Sequence, residues 1–237
     1  MARLPRLALA DLPHLVLQRG LSNGPVFADA DDRRTYLGAL HEAAANLRVV
    51  VHAYALLDDQ VRLLLTPPSA EALSQLMQAV GRRYVSAHNR RHGRAGTLWD
   101  GRFRATVLDA EPWLLAAARE IEQSPQRLGL VARACDWPWS SAGHHLGRHR
   151  DPVVSAHPLF WTLGNTPFER ELAWQRLLDE PLPVAQQQQI ESALLKGWPL
   201  GSGAFLANLA GSTDRPLAPR PRGRPPRAPR QGSDAAG

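Results

Sequence analysis

Along the first half of the chain the apolar positions switch between a period of two and a period near 3.6, and each switch marks an element. "HLVLQRG", His14 to Gly20, reads as a strand stopped by glycine. Asp29 stands where it can cap a helix whose apolar face is Tyr36, Leu37, Leu40, Ala44 and Leu47. "RVVVHAYALL", Arg48 to Leu57, is a second strand, and it turns through Asp58 and Asp59 into a third that starts at Gln60. The two form a hairpin. Ser69 then caps a long helix with the stripe Leu73, Leu76, Met77, Val80 and Tyr84, ending near Gly93. "RATVLD" is a fourth strand. Asp109 caps a further helix, which tolerates Pro112 in its first turn and ends near Gln123, ahead of Pro125.

The order strand, helix, hairpin, helix, strand, helix predicts an α+β fold, one antiparallel sheet with helices packed on it. After "DWPWSS", Asp136 to Ser141, the pattern weakens. Residues 167–179 and 184–196 read as two short helices, and "GWPLGSGAFLANL" as a turn and a third. From Gly211 onward the chain is Pro, Arg and Gly without apolar periodicity, a composition expected to be disordered on its own. The expected organisation is therefore a core over residues 1–147, a small helical extension over 148–210 and a basic tail over 211–237.

One strand departs from its own pattern. In "LLDDQVRLLLTP", Leu56 to Pro67, the residues Val61, Leu63 and Leu65 share one face while Gln60, Arg62 and Leu64 share the other. Asp58, Asp59, Gln60 and Arg62 thus crowd the mouth of an apolar strand, either as a solvated end or as a site. Composition narrows the choice of partner. With 44% hydrophobic residues, the 237-residue chain can bury a sizeable core, and its pI of about 10.5 favours a polyanion. Every basic residue but Lys196 is an arginine, whose planar fork suits phosphate. The single cysteine, Cys135, excludes an internal disulfide framework. No apolar run approaches the ~18 residues of a membrane span, and the N-terminal residues lack a signal-peptide apolar region. The expectation is a soluble, cytoplasmic protein with an anionic partner and no membrane.

The arginines are clustered. "GRRYVSAHNRRHGRAGTLWDGRFR", Gly81 to Arg104, holds Arg82, Arg83, Arg90, Arg91, Arg94, Arg102 and Arg104 against a single acid, Asp100. Interleaved with Tyr84, His88, Trp99 and Phe103, they fit a nucleic-acid groove, charge for phosphates and rings for bases. The plainer reading is a solvated helix end with its rings in the core, and Tyr84, which falls on the apolar stripe, follows it. The tail "PRPRGRPPRAPR" contains Arg222-Gly223-Arg224-Pro225, an AT-hook core whose two arginines suit the minor groove of A·T-rich duplex.

Several of these segments together resemble a known family. "LPHLVLQRG", "PVFADADDRRTYL", "VHAYALL", "LLLTP", "GRRYVSAHNRRHGRAGTLWDGRFRA", "EQSPQRLGLV" and "DWPWSS" occur in the order found in the REP-associated tyrosine transposases of the HUH single-strand transposase superfamily. The resemblance runs from Leu12 to Gly147, more faintly to Leu209, and "GWPLGS" with the Gly-Arg-Pro ending adds to it. It implies an HUH, ferredoxin-like core. It also implies two histidines flanking one apolar residue on a strand, holding Mg²⁺ or Mn²⁺ against the scissile phosphate. A tyrosine on a later helix would attack that phosphate, and an amide one turn further on would complete the metal site.

This sequence departs from that pattern at every such position. The histidine positions match Gln60 and Arg62, with Val61 between them; the nucleophile position matches Glu120 and the amide position Ser124. Asp58-Asp59 stands where the family has Pro-Asn. A guanidinium has no lone pair for a metal, so Arg62 cannot replace a histidine. The expectation is a vacated metal site with no catalytic residue intact and no cofactor. Arg62 and Glu120, opposite in sign and facing each other across the gap between strand and helix, are expected to pair there. His88, His92, His144, His145 and His149 have no ligand spacing joined to a second half of a metal site, and surface or phosphate-contact roles are expected for them. Three functions follow: a DNA-binding protein for single-stranded or hairpin DNA that does not cleave it, an active single-strand transposase working through relocated residues and a phosphotyrosine, and a decayed copy with no selected role.

Overall fold

A computed structural model describes residues 6–218 of the chain. Four strands, β1 (His14–Arg19), β2 (Val50–Leu56), β3 (Gln60–Thr66) and β4 (Arg104–Val107), form one sheet in the order β2-β3-β1-β4, with every neighbouring pair antiparallel. Helix α1 (Ala30–Leu47) joins β1 to β2 and α2 (Ala70–Arg91) joins β3 to β4. This is the interleaved βαββαβ arrangement of ferredoxin-like folds, with β1 and β3 as the central pair. Register pairs Leu17 with Arg62 in β1–β3, and Ala55 with Arg62 in β2–β3.

Both faces of the sheet are covered. On one, Val16, Tyr54, Leu56, Val61, Leu63 and Leu65 pack against Tyr36 and Leu40 of α1 and Leu73, Leu76, Val80 and Tyr84 of α2. On the other, Leu15, Leu17, Ala53, Ala55 and Leu64 meet α3 (Ala110–Arg127) through Leu114, Ala117, Ala118 and Ile121. The same second cluster takes in Phe160 of α5 (Pro158–Trp161), which follows the single turn α4 (Ala142–His145). Trp174 and Leu178 of α6 (Pro167–Asp179) and Ile190 and Leu194 of α7 (Val184–Lys196) complete it. Two-sided burial explains why β1 and β3 read as nearly continuous apolar runs. The last helix, α8 (Gly203–Ala210), follows a short parallel bridge between Leu108 and Leu200 that lengthens the β4 edge. Among the described residues no helix is long and apolar enough to cross a membrane.

Caps sit where the pattern placed them for α1 and α2. Asp29 accepts from the amides of Asp31 and Asp32, and Ser69 from that of Ala72. Just past β1, position 20 requires glycine because a side chain there would strike the Gly24 carbonyl. Three boundaries differ from expectation. Arg48 closes α1 in the left-handed region (φ 54) instead of opening β2. Asp109 occupies the N-cap position of α3 but makes no cap bond; its Oδ2 accepts from Ser202 N (3.1 Å) and Oγ (2.8 Å), tying the start of α8 to the start of α3.

The third difference is the end of α3, which continues through Pro125 to Arg127 instead of stopping near Gln123. Proline at 125 has no N–H for the carbonyl of Ile121. The hydroxyl of Ser124 donates to that carbonyl instead, at 2.6 Å, so the ladder loses no acceptor. The chain from Gly211 to Ala218 is described without helix or strand, and the remainder of the tail, with Arg222 and Arg224, lies outside the described residues.

Candidate functional site

The mouth of β3 opens between α3 and α7. Arg62 lies on the face of β3 shared with Leu64, and α3 is the helix that face meets. Its side chain is 5% exposed and donates through NH1 to Oε1 of Glu120 at 2.5 Å, with Glu120 fully enclosed. The same carboxylate oxygen accepts from Arg127 NH2 at 2.6 Å. Glu191 of α7 stands 3.6 Å from Arg62 NH2, at the outer rim. Arg62 and Glu120 thus pair where the sequence placed them. Arg127 and Glu191 were not anticipated. Arg127 is seven residues beyond Glu120, two turns along one helix face, and that spacing is a signal the sequence does carry. Glu191 reaches the site from a helix remote in sequence, and nothing local announces it.

The rest of the mouth is committed elsewhere. Asp58 pairs with Arg33 of α1, and the backbone carbonyls of Asp58 and Asp59 accept from Val26 and Gly20. Gln60 is buried with no hydrogen bond to Oε1 among the described residues. Ser124 spends its hydroxyl on Ile121, as above. Glu122, two residues from Glu120 and equally enclosed, points to a different set of donors: Ser141 Oγ (2.5 Å), His145 Nδ1 (2.6 Å) and Trp174 Nε1 (2.8 Å).

All three tyrosines pack on the opposite face of the sheet from Arg62 and Glu120, in the α1–α2 core. Tyr54 donates to Asp151 Oδ2 at 2.6 Å and Tyr84 donates to the Val26 carbonyl. Burial pushes the hydroxyls of Tyr36, Tyr54 and Tyr84 above the ordinary phenol range, so each is a neutral core group.

The arginine cluster divides in two. Arg83 pairs with Glu42, Arg104 donates to the Leu195 carbonyl at 2.5 Å, and Arg91 donates to Asp29 and Asp32 at 2.7 Å with Asp31 at 3.5 Å. That chelation holds the Asp29 carboxyl well below the usual carboxylate range, chiefly through the Arg91 hydrogen bond. Arg82, Arg90, Arg94 and Arg102 are exposed and form no ion pair among the described residues. Arg102 lines an open groove of about 700 Å³ with Gln18, Gln75, Gln78 and Phe103. Of the rings expected to stack on bases, Phe103 reaches this groove, 8% exposed and covered by the Arg6 guanidinium at 3.7 Å. Tyr84, Trp99 and Phe103 are core residues, and His88 is buried between Tyr84 and His92. Arg102 therefore shares its groove with amides, small residues, the edge of Phe103 and one acid, Glu71.

No model of a known protein family matches the chain, and no curated protein matches it. Among solved structures, a REP-associated tyrosine transposase bound to a REP hairpin superposes with a TM-score of 0.55. That match covers 66% of this chain and 93% of the other at 13% identity, and the likeness is one of fold. A provisionally assigned transposase from Deinococcus radiodurans R1 is 23% identical over 49% of this chain and 93% of its own, but with a TM-score of 0.34 it carries no argument.

Proposed function

We propose that this chain, which has the fold of a REP-associated tyrosine transposase, binds single-stranded or hairpin DNA and does not cut it. The observation that carries the reading is the enclosed cluster of Arg62, Glu120 and Arg127. A hard divalent cation needs oxygen or nitrogen lone pairs converging on it. Gln60 offers one amide oxygen there, while Arg62 offers none and places a positive charge in front of α3. The residues present do not fit Mg²⁺ or Mn²⁺. Glu120, at the position of the tyrosine in the resembling family, is already bonded to two guanidinium groups, and Ser124 is bonded to its own helix.

Support for DNA comes from Arg82, Arg90, Arg94 and Arg102, four exposed charges of one sign, and from the neighbouring fold having been solved on a hairpin. The reading extends to A·T-rich duplex through Arg222 and Arg224 of the tail, and to a cytoplasmic setting where such DNA is reached. The test is a labelled single-stranded hairpin incubated with the full chain and Mg²⁺ or Mn²⁺. Expected is salt-sensitive retention with no detergent-resistant adduct. A covalent protein–DNA adduct would show an active transposase with relocated residues and overturn the proposal.

A further inference from the structure

A second cluster of ligand-type side chains lies on the other side of the sheet from Glu120, where α1 and α2 meet. Asp32 in the first turn of α1, His88 in the last turn of α2 and His92 at its C-cap bring a carboxylate oxygen and two imidazole nitrogens within 4.8 Å of one another. The histidines are four residues apart and so lie side by side on one helix face. His92 Nε2 stands 3.0 Å from both Asp32 oxygens, and His88 Nε2 3.7 Å from Oδ2, the latter too long for a hydrogen bond. With metal–ligand bonds of about 2.0–2.1 Å, neighbouring donors of a tetrahedral site lie about 3.3 Å apart. The present spacings bracket that value, so small side-chain rotations bring all three donors to one ion.

We infer that Asp32, His88 and His92 form a binding site for a transition-metal dication of the zinc, cobalt and nickel type. Two imidazoles select such ions over Mg²⁺ and Ca²⁺, which take oxygen. The carboxylate is already oriented from outside by the Ala28 amide, 2.9 Å from Oδ2. Asp32 is 2% exposed and His88 5%, so two ligands are fixed by packing, while the half-buried His92 leaves room for water at the remaining position. Arg91 shares Asp32, through Oδ1 at 2.7 Å, and is the ion's competitor. It keeps Asp29 and Asp31 as partners when a cation takes Asp32. Coordination requires each imidazole to turn a nitrogen lone pair toward the ion. The ion would pin the end of α2 to the start of α1, directly before Gly93 (φ 60), where the chain turns into the segment carrying Arg94 and Arg102.

The experiment uses the full chain without a polyhistidine tag, stripped with chelator and titrated with Co²⁺, then with Zn²⁺ in competition. One equivalent of Co²⁺ should develop visible d–d absorption, Zn²⁺ should displace it, and Zn²⁺ should raise Tm. His92→Gln, a partly exposed position that can change without opening the core, should weaken binding at least tenfold and abolish the Tm shift. Arg91→Met should bind at least as tightly as the parent, and the exposed His41→Gln should bind as the parent does. No stoichiometric absorption in the parent, or equal binding by folded His92→Gln, overturns the site and leaves the cluster an Arg–Asp–His hydrogen-bond lock.

Discussion

Arginine does two opposite things in this molecule. Around Glu120 two guanidinium groups converge on one enclosed carboxylate, and the charge is spent inside the fold. Beyond the middle of α2, Arg82, Arg90, Arg94 and Arg102 face solvent with no carboxylate partner among the described residues. Between them stands Arg91, adjacent to Arg90 in sequence yet chelated by acids of α1. Counting arginines along the chain therefore overstates the charge open to a partner. What decides is whether a neighbouring element supplies an acid, and only packing determines that.

The largest test of the contrast is removal of the inner acid. Glu120→Gln takes the short inner pair from the enclosed Arg62 and leaves it the longer contact with Glu191, 3.6 Å away at the exposed rim; a broken buried pair costs about 3–5 kcal/mol. The double change Arg62→Met with Glu120→Leu replaces the pair by apolar volume and should cost far less, within about 1 kcal/mol of the parent or above it. Urea unfolding measures both. A Glu120→Gln variant as stable as its parent would mean water reaches Arg62, and the two arginine sets would then differ only in degree.

A buried base with no acid beside it sharpens the comparison. His14 and His52 are both lowered to about 4, chiefly by burial. Their hydrogen bonds suit the neutral ring. In His14, Nδ1 donates to the Leu12 carbonyl and Nε2 accepts from the Leu9 amide. In His52 the two nitrogens meet the Ser155 carbonyl and the Thr66 hydroxyl. The unfolded chain takes up protons near the ordinary histidine value of 6.5 while the folded chain does not. The stability they contribute is thus fully present above about pH 6.5, falls as pH drops toward 4, and is gone below that. Each histidine contributes a slope of up to about 1.4 kcal/mol per pH unit in that window. Unfolding free energies from pH 7 to 4 in the parent and in His14→Gln should differ in slope, and parallel curves would show that His14 is already charged in the fold.

The same distinction between chain and space explains what was legible beforehand. Helices 167–179 and 184–196, and both strands of the hairpin, follow from periodicity, because apolar alternation is a local property. The pairing of Arg62 with Glu120 was legible too, since each residue's face is set by its own element. The end of α3 was not. Pro125 reads as a stop unless Ser124 is seen covering the Ile121 carbonyl. Trp99 and Phe103 look like base-stacking rings by adjacency to arginine, yet both are buried in the core. Likewise the Gly81–Arg104 segment contains one acid, Asp100, and its neutralising partners Glu42, Asp29 and Asp32 come from α1 and its cap.

Arg91 is the intermediate case. Changing it to Met breaks its contacts with Asp29 and Asp32 and should lower Tm slightly, because the charges are half-exposed and screened. DNA affinity should keep its salt dependence, since that guanidinium is already occupied. A salt slope that falls as far as it does for an exposed arginine would show that DNA takes Arg91 away from its aspartates.

The smallest effect on the fold should accompany the largest on binding. Arg90 and Arg94 are exposed, flank the end of α2 and have no ion-pair partner among the described residues, so Arg90→Glu with Arg94→Glu should leave the unfolding midpoint unchanged. If these side chains neutralise phosphates, each releases counterions on binding, and removing one lowers the slope of log affinity against log salt by about 0.7 on single strands. The double variant should therefore lose about twice that and bind hairpin DNA more weakly at low salt, while Arg91→Met does not. Fluorescence anisotropy of a labelled hairpin at several salt concentrations separates the outcomes. An unchanged slope in Arg90→Glu with Arg94→Glu would mean that the exposed set serves only solubility. The division between spent and available charge would then say nothing about where DNA lies.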